Sequence, residues 1–317
     1  MKLLLVSNIQ LNAPNSENLE IKSFHKWQDD RLTRLQDLFD KTQQYGARTV
    51  MLFGTLFGQK VVPESIIDGF FNAVKEDRKL QVFTLVGFEE YQLISYRKDT
   101  PSNFHCLCMD AVDNFRGKEM KIAVMNGMAD ITVNDQKVTV KCPEEDKYVI
   151  DDSVIPSFEP VSFDDSVEKE FGFMLWDTDE TKNPFKPIAE QKYRFQTVEL
   201  KILPAENEKD ILEKINRIIR KIDRDTFLRI TITGKSAFGL TINPDGLENK
   251  LQHHIFSVNV FDNSSMDIDA DMFENDISLR SEFVRLALND ESLSEAERNR
   301  LISYGWDALS GKEMSEE

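Results

Sequence analysis

Three short clusters hold the side chains that could do chemistry, and each directly follows an apolar run. They are Ser7-Asn8-Ile9-Gln10-Leu11, Gly54-Thr55-Leu56-Phe57-Gly58 and Gly87-Phe88-Glu89-Glu90-Tyr91. Amides, a hydroxyl and carboxylates at such points would face a ligand, because open sheets of parallel strands bind ligands beyond their carboxyl ends. Glu89-Glu90 allows a single-metal site or an acid/base pair, but a pair of solvated or salt-bridged carboxylates at a loop start is the better reading. Cys106-x-Cys108 puts two thiols on one strand face. With only one further cysteine, Cys142, a zinc site lacks ligands, and buried apolar cysteines are the better reading. His253-His254 sits where a helix dipole favours a cation. Asp267-x-Asp269-x-Asp271 starts with calcium-like spacing but lacks the glycine and terminal glutamate of a calcium loop. Finally, Lys214, Arg217, Arg220, Lys221 and Arg224 line one side of an amphipathic segment. They are candidates for contact with DNA phosphates, although an interleaved solvated face explains the same pattern.

The elements that must position these clusters are legible from periodicity. Residues 2–7, 49–53 and 80–86 are strand-sized apolar runs. Between them, Leu32, Leu35, Leu38 and Phe39 repeat at helical spacing over 29–45, and Gly46 stands where a helix ends. Pro63 opens a second helix. Strand and helix alternating in this way predict a mainly parallel sheet covered by helices. Further strands are expected at 104–108, 121–125 and 171–176, with a hairpin over 130–141 turning at Asn134-Asp135. From Lys192 the pattern restarts as strand 193–202, helix 208–224, strand 226–233, helix 244–253 and strand 255–261. Two helices, 279–288 and 294–309, finish the chain, the second opening on a capping-box pattern, Ser294-x-x-Glu297.

Charge and length bound the function. The chain has 317 residues, 40% of them hydrophobic including 22 Phe, which is enough for a real core and excludes global disorder. Its net charge of −17 argues against a polyanion partner only until it is mapped. Residues 144–180 carry 13 acidic and 2 basic side chains, and residues 262–317 carry 15 and 5. The remainder is therefore net +4, which leaves nucleic acid open as a partner. No run reaches the roughly 20 apolar residues of a membrane helix, and the N-terminal apolar run is too short for a signal peptide. Three cysteines fit a reduced, cytoplasmic setting.

The three strand-end clusters resemble the opening motifs of calcineurin-like metallophosphoesterases, Ser-Asp-x-His-Leu, Gly-Asp-Leu-Phe-Asp and Gly-Asn-His-Asp/Glu. Lys121-Ile-Ala-Val-Met-Asn126-Gly127 is similar to the family's next strand, which ends in His-Gly. Among the branches, the SbcD-type DNA repair exonucleases are the most similar. Leu228-Arg-Ile-Thr-Ile-Thr-Gly234, the LRSEFVRL run at 279–286 and Tyr304-Gly-Trp-Asp-Ala-Leu-Ser-Gly311 resemble landmarks of that branch's capping domain and C-terminal helix. The resemblance covers nearly the whole chain and rests on residues flanking the ligand positions. It implies a layered β-sheet core flanked by helices over 1–190, a small α+β capping domain over 191–278 and a C-terminal helical segment over 279–317.

In that family two manganese ions are held at these motifs. Carried over by position, the first Asp is Asn8, the first His is Gln10, the bridging Asp is Thr55 and the second Asp of that motif is Gly58. The Asn ligand is Phe88, the catalytic His is Glu89 and the His of His-Gly is Asn126. The closing Gly-His-x-His motif has no counterpart, and none of the chain's four histidines has a matching context. Two divalent ions about 3.5–4 Å apart need anionic charge and a bridging oxygen, and these residues are neutral or apolar. The expectation is therefore a non-catalytic subunit without metal or other cofactor. The resemblance implies a partner, an SMC-like ATPase of the SbcC type in DNA repair or DNA-end processing, and a homodimer as a possible assembly. The alternative is a divergent metal-dependent phosphodiesterase or nuclease using other ligands, such as Glu89 and Glu90.

Overall fold

The computed structural model describes residues 1–309 apart from 18, 145–146, 165–170, 239, 241, 252–254, 269–272, 274–275 and 291. His253, His254, Asp269 and Asp271 thus lie outside the described residues. The protein is a mixed α/β chain of two compact units, Met1–Phe195 and Gln196–Glu317. Among the described residues no helix is long and apolar enough to cross a membrane.

The first unit is built on β1 (Lys2–Ser7), β2 (Thr49–Phe53), β3 (Gln81–Val86) and β4 (Phe104–Cys108), which pair in parallel and in that order. The sheet is mainly parallel, with three parallel pairings, and carries two antiparallel ones, because β11 (Gly172–Asp177) joins β1 antiparallel and β12 (Phe185–Ala189) extends it. Strands β1, β2 and β3 are buried almost throughout, as expected of strands covered on both faces. Alternate residues therefore serve two cores. Leu4, Val6, Val50, Leu52 and Val82 meet helices α1 (Ile21–Gln44) and α2 (Glu64–Glu76) through Leu35, Leu38, Phe70 and Phe71. Leu3, Leu5, Met51, Phe53 and Phe83 face the other way.

That second face is covered by a six-stranded antiparallel sheet ordered β10-β9-β8-β7-β6-β5. Its strands are β5 (Asp113–Arg116), β6 (Met120–Met125), β7 (Met128–Val133), β8 (Gln136–Glu144), β9 (Lys147–Ile150) and β10 (Ser153–Val154). Ile122, Val124, Ile131, Val138, Val140 and Ile150 point into the shared core. Three of its turns have two residues with positive φ: Asn126-Gly127 (53° and 73°), Asn134-Asp135 (49° and 67°) and Asp151-Asp152 (44° and 66°). Such turns match the twist of a tight hairpin, and Asn, Asp and Gly tolerate them best. Residues 121–127, expected as a strand leading to a His-Gly-like end, are thus one arm and the turn of a hairpin.

The second unit is built on β13 (Arg194–Ile202), β14 (Thr226–Ser236) and β15 (Ser257–Asp262), with the short β16 (Ser265–Met266) against β14. Strands β14 and β15 are parallel. Helix α4 (Glu208–Ile219) starts at a capping box of Asn207 and Asp210 and buries Ile211, Ile215 and Ile219. It ends five residues before the expected Arg224. The last amides bond three residues back, Lys221 to Ile218 and Ile222 to Ile219. Acidic Asp223 and Asp225 are unfavourable at a helix C-terminus. Helix α5 (Pro244–Leu251) completes the core. Helices α6 (Leu279–Leu288) and α7 (Glu295–Leu309) pack on each other through Val284, Ala287 and Ile302. Ser294 caps α7, its hydroxyl 2.6 Å from Glu297, as the sequence pattern predicts.

Candidate functional site

A cleft of about 500 Å³ opens at the carboxyl ends of β2 and β3. Thr55, Gly58, Phe88, Glu89 and Glu90 line it, together with Lys60, Asp110 and Tyr148. The second and third strand-end clusters therefore meet in the cleft, at the place that parallel strand topology dictates, whereas Asn8 and Gln10 of the first do not line it.

The end of β1 is held in an unusual backbone conformation. Asn8 and Gln10 both have positive φ, 50° and 49°, which for a residue such as Gln costs free energy and needs support. Arg31 from α1 supplies it. Its fully buried guanidinium donates to the carbonyls of Ile9 at 2.5 Å and Gln10 at 2.9 Å, and stacks 5.0 Å from the Trp27 ring. The Asn8 N–H donates to Phe53 at 2.9 Å and the Gln10 N–H to the Thr55 carbonyl at 3.1 Å. The first cluster is thereby laced to the second.

Among the expected positions, the side chains of Asn8 and Glu89 are engaged with the protein itself. Asn8 is buried, with Oδ1 accepting the Thr55 N–H at 3.4 Å and Nδ2 3.4 Å from the Ser157 hydroxyl. Gly54, with φ of 75°, lies beneath Asn8 and Tyr148, where a Cβ would come within 2.5 Å of each. Gly58 sits against Gln10, a Cβ there being 3.4 Å from the Gln10 Cβ. Glu89 is exposed and paired with Lys60 at 2.9 Å. Phe88 opens helix α3 (Phe88–Ser95) with its ring half exposed, and its N–H donates to Asp110 Oδ2 at 2.7 Å. Asn126 is exposed at its hairpin turn and does not line the cleft. The adjoining Gly127 N–H donates to the Met109 carbonyl at 3.2 Å.

Glu90 has a different task. Its carboxylate accepts the backbone N–H groups of Leu56 at 2.7 Å, Phe57 at 2.8 Å and Gly58 at 3.3 Å. The three amides form an anion-binding nest that the protein fills with its own side chain. Burial pushes the Glu90 carboxyl above the ordinary range, against these three hydrogen bonds that pull it down. Glu89 is salt-bridged, as the preferred reading of the sequence has it, and the alternative in which Glu89 and Glu90 pair as ligands or as acid and base is not formed, since each is spent on a different partner.

The remaining candidates separate in the same way. Burial pushes the Cys106 thiol up to about 12, and Cys108 is buried, whereas Cys142 is exposed. Among the described residues no group of three or more His, Cys, Asp or Glu side chains is gathered that could hold a metal ion. In the basic segment, Lys214 is taken by Glu206 at 2.5 Å. Arg217 and Lys221 border a groove of about 300 Å³ with Gln196, Ile218 and Ile222. Arg220, Lys221 and Arg224 lie beyond the end of α4 and are exposed, so the five cations do not share one helical face.

Cleft residues that sequence reasoning missed are Tyr148, Asp110 and Lys60. Tyr148 reaches Gly54 from the second sheet, within a stretch that reads as an acidic loop, and no local signal points to it. Asp110 was available only as a carboxylate just past a strand, a capping position for the helix after Gly87.

The donor set at Asn8, Gln10, Thr55 and Phe88 does not fit two divalent ions. The Asn8 amide oxygen is committed to a backbone N–H, a Thr hydroxyl cannot bridge two metals as a carboxylate does, and Phe88 contributes only a ring. No family model matches the chain, and no curated protein matches it.

Proposed function

We propose that the protein is a non-catalytic relative of the SbcD-type exonucleases, a metallophosphoesterase-like scaffold that serves as a partner of an SMC-like ATPase in DNA repair or DNA-end processing. One observation carries this reading. The cleft lies at the strand ends, and Glu90 and Asp110 of its lining, like Asn8 beside it, accept hydrogen bonds from backbone amides. Glu90 stands where the resembled motif has Asp or Glu, and it anchors the 56–58 loop. Asn8 and Thr55, at two ligand positions, bond to each other. Two sheets face to face with helices on the first are compatible with the layered core of that fold.

The C-terminal helices supply the surface a partner would cover. Leu279, Leu286 and Tyr304 are 72%, 65% and 56% exposed, and Leu279 and Leu286, seven residues apart, share one face of α6. The test has two arms. Calorimetric titration with manganese is expected to give no heat of binding, and a generic phosphodiester no turnover. Affinity purification from the native cell is expected to recover a large coiled-coil ATPase, and Leu279→Glu with Leu286→Glu to lose it. Stoichiometric manganese binding with hydrolysis overturns the non-catalytic reading. Recovery of no such ATPase overturns the partner.

A further inference from the structure

The cleft and the turn end of the second sheet share one stretch of chain. The Met109 carbonyl accepts the Gly127 N–H at 3.2 Å, and the next residue, Asp110, accepts the Phe88 N–H at 2.7 Å and lines the cleft. The turn between β6 and β7 is thus seated beside the cleft wall. At that turn the outward side chains are apolar. Met125 opposes Met128 across the hairpin, and they are 56% and 42% exposed. Val112, immediately before the Asp113–Val124 pair of β5 and β6, is 81% exposed. Ala123 is exposed two residues back along β6, on the same face as Met125. Lys141, opposite Met128 on β8, closes this apolar row.

The cleft beside the row has the opposite character from an anion site. Glu89, Glu90 and Asp110 line it against a single cation, Lys60. Glu89 and Lys60 offset each other at 2.9 Å. The nest of amides at Leu56, Phe57 and Gly58, which could take an anion, is already filled by Glu90. Asp110 is exposed, and its Oδ1 has no hydrogen-bond partner among the described residues. Two rings complete the lining, Phe88 half exposed and Tyr148 half-buried over Gly54. A carboxylate beside aromatic faces suits a guanidinium, which stacks on a ring while donating a fork of hydrogen bonds. A phosphate would meet net negative charge there instead.

We propose that the cleft and the apolar row together dock a linear segment of a partner protein, with an arginine entering the cleft and flanking apolar side chains covering Val112, Met125 and Met128. Charge complementarity selects this occupant, since a negative cleft with aromatic walls recognises a cation. The row selects a protein over a small amine, because an apolar centre bordered by charge is how protein interfaces are built. Methionine pairs also adapt to apolar side chains of different shape. The docking surface is separate from α6 and α7 and does not rest on the ATPase reading, so either can fail without the other.

The isotope-labelled full chain is titrated with N-acetyl-arginine methylamide to about 20 mM, the range in which so small a ligand binds. The backbone amide signals of Phe88, Glu89 and Asp110 are followed by nuclear magnetic resonance, and a saturable shift is expected. Asp110→Asn keeps an oxygen for the Phe88 N–H but loses the charge, and is expected to weaken binding about tenfold. Phe88→Ala is expected to weaken it about two- to fivefold. Should Phe88→Ala not fold, judged by circular dichroism, Lys60→Glu gives the opposite sign and is expected to tighten binding. The peptide acetyl-Leu-Leu-Arg-Leu-Leu-amide is expected to bind about tenfold tighter than the single arginine, and Met125→Gln with Met128→Gln to remove that gain. No saturable shift overturns the proposal, as does N-acetyl-glutamate methylamide or inorganic phosphate binding as tightly as the arginine compound. A peptide no tighter than the single arginine, or insensitive to the methionine pair, overturns the docked segment. A DNA duplex that shifts the same amide signals overturns the choice of a protein as occupant.

Discussion

Asn8 Oδ1 accepts a hydrogen bond from the Thr55 backbone nitrogen at 3.4 Å, across a glycine that leaves no room for anything larger. The ends of β1 and β2 are thus tied together through Gly54. Gly54→Ala puts a Cβ within 2.5 Å of both Asn8 Oδ1 and the Tyr148 ring, in a left-handed conformation with φ of 75°. The conformation costs about 1–2 kcal/mol and overpacking about 1–3 kcal/mol. A loss of roughly 2–5 kcal/mol is expected from the midpoint of urea unfolding. A variant as stable as the parent would mean that the β1 and β2 ends are not packed in this way.

Glu90 makes a second prediction, because its carboxylate is the acceptor for three amides. Glu90→Gln presents an NH2 group to at least one N–H donor and leaves it unsatisfied, at a cost of about 1–3 kcal/mol. Hydrogen exchange should localise the effect, with faster exchange at Leu56, Phe57 and Gly58 and little change in β2. Uniform acceleration over the whole unit would instead mark Glu90 as a general packing residue.

Those two residues also show how far sequence reasoning reaches. The strands and the first helices follow from local periodicity, and the meeting of the second and third clusters follows from parallel strands ending on one edge. The task of Glu90 does not, because its three partners are backbone amides 32 to 34 residues away that any sequence would supply. Sheet order is hidden for a similar reason. Strand β11 pairs with β1 across about 170 residues, and nothing local in Gly172–Asp177 names its neighbour. Asn126 failed differently. The Asn126-Gly127 pair is a strong hairpin signal, and it turns β6 into β7 where a strand ending in His-Gly would present a ligand. At the end of α4, apolar spacing continues to Ile222, whereas Asp223 and Asp225 end the helix at Ile219.

His105 supplies a pH dependence. Its ring stacks on Phe83 at 4.6 Å and meets Phe115 at the same distance, and burial holds its pKa below the ordinary value. The native imidazole therefore stays neutral where the unfolded one, near 6.5, already binds a proton. Stability from this residue is present above about pH 6.5 and is lost as pH falls through that value toward the lower native one. His105→Gln removes the titration. Urea midpoints at pH 8, 6.5 and 5 should show the parent losing stability relative to the variant as pH falls. Parallel curves would rule out a neutral buried His105.

The thiols should separate by reactivity. Only the thiolate is nucleophilic, and a pKa of about 12 leaves Cys106 roughly one part in ten thousand ionised at pH 8. Cys108, 2% exposed, is shielded from reagent as well. Cys142 is exposed on β8 and so accessible to reagent. Iodoacetamide at pH 8, followed by peptide mapping, is expected to alkylate Cys142 at least a hundredfold faster than the other two. In strong urea all three should react at similar rates, because the difference belongs to the fold and not to the neighbouring sequence. Comparable native rates at Cys106 and Cys142 would show that β4 opens to solvent, and with it the edge of the first sheet on which the packing of His105 also depends.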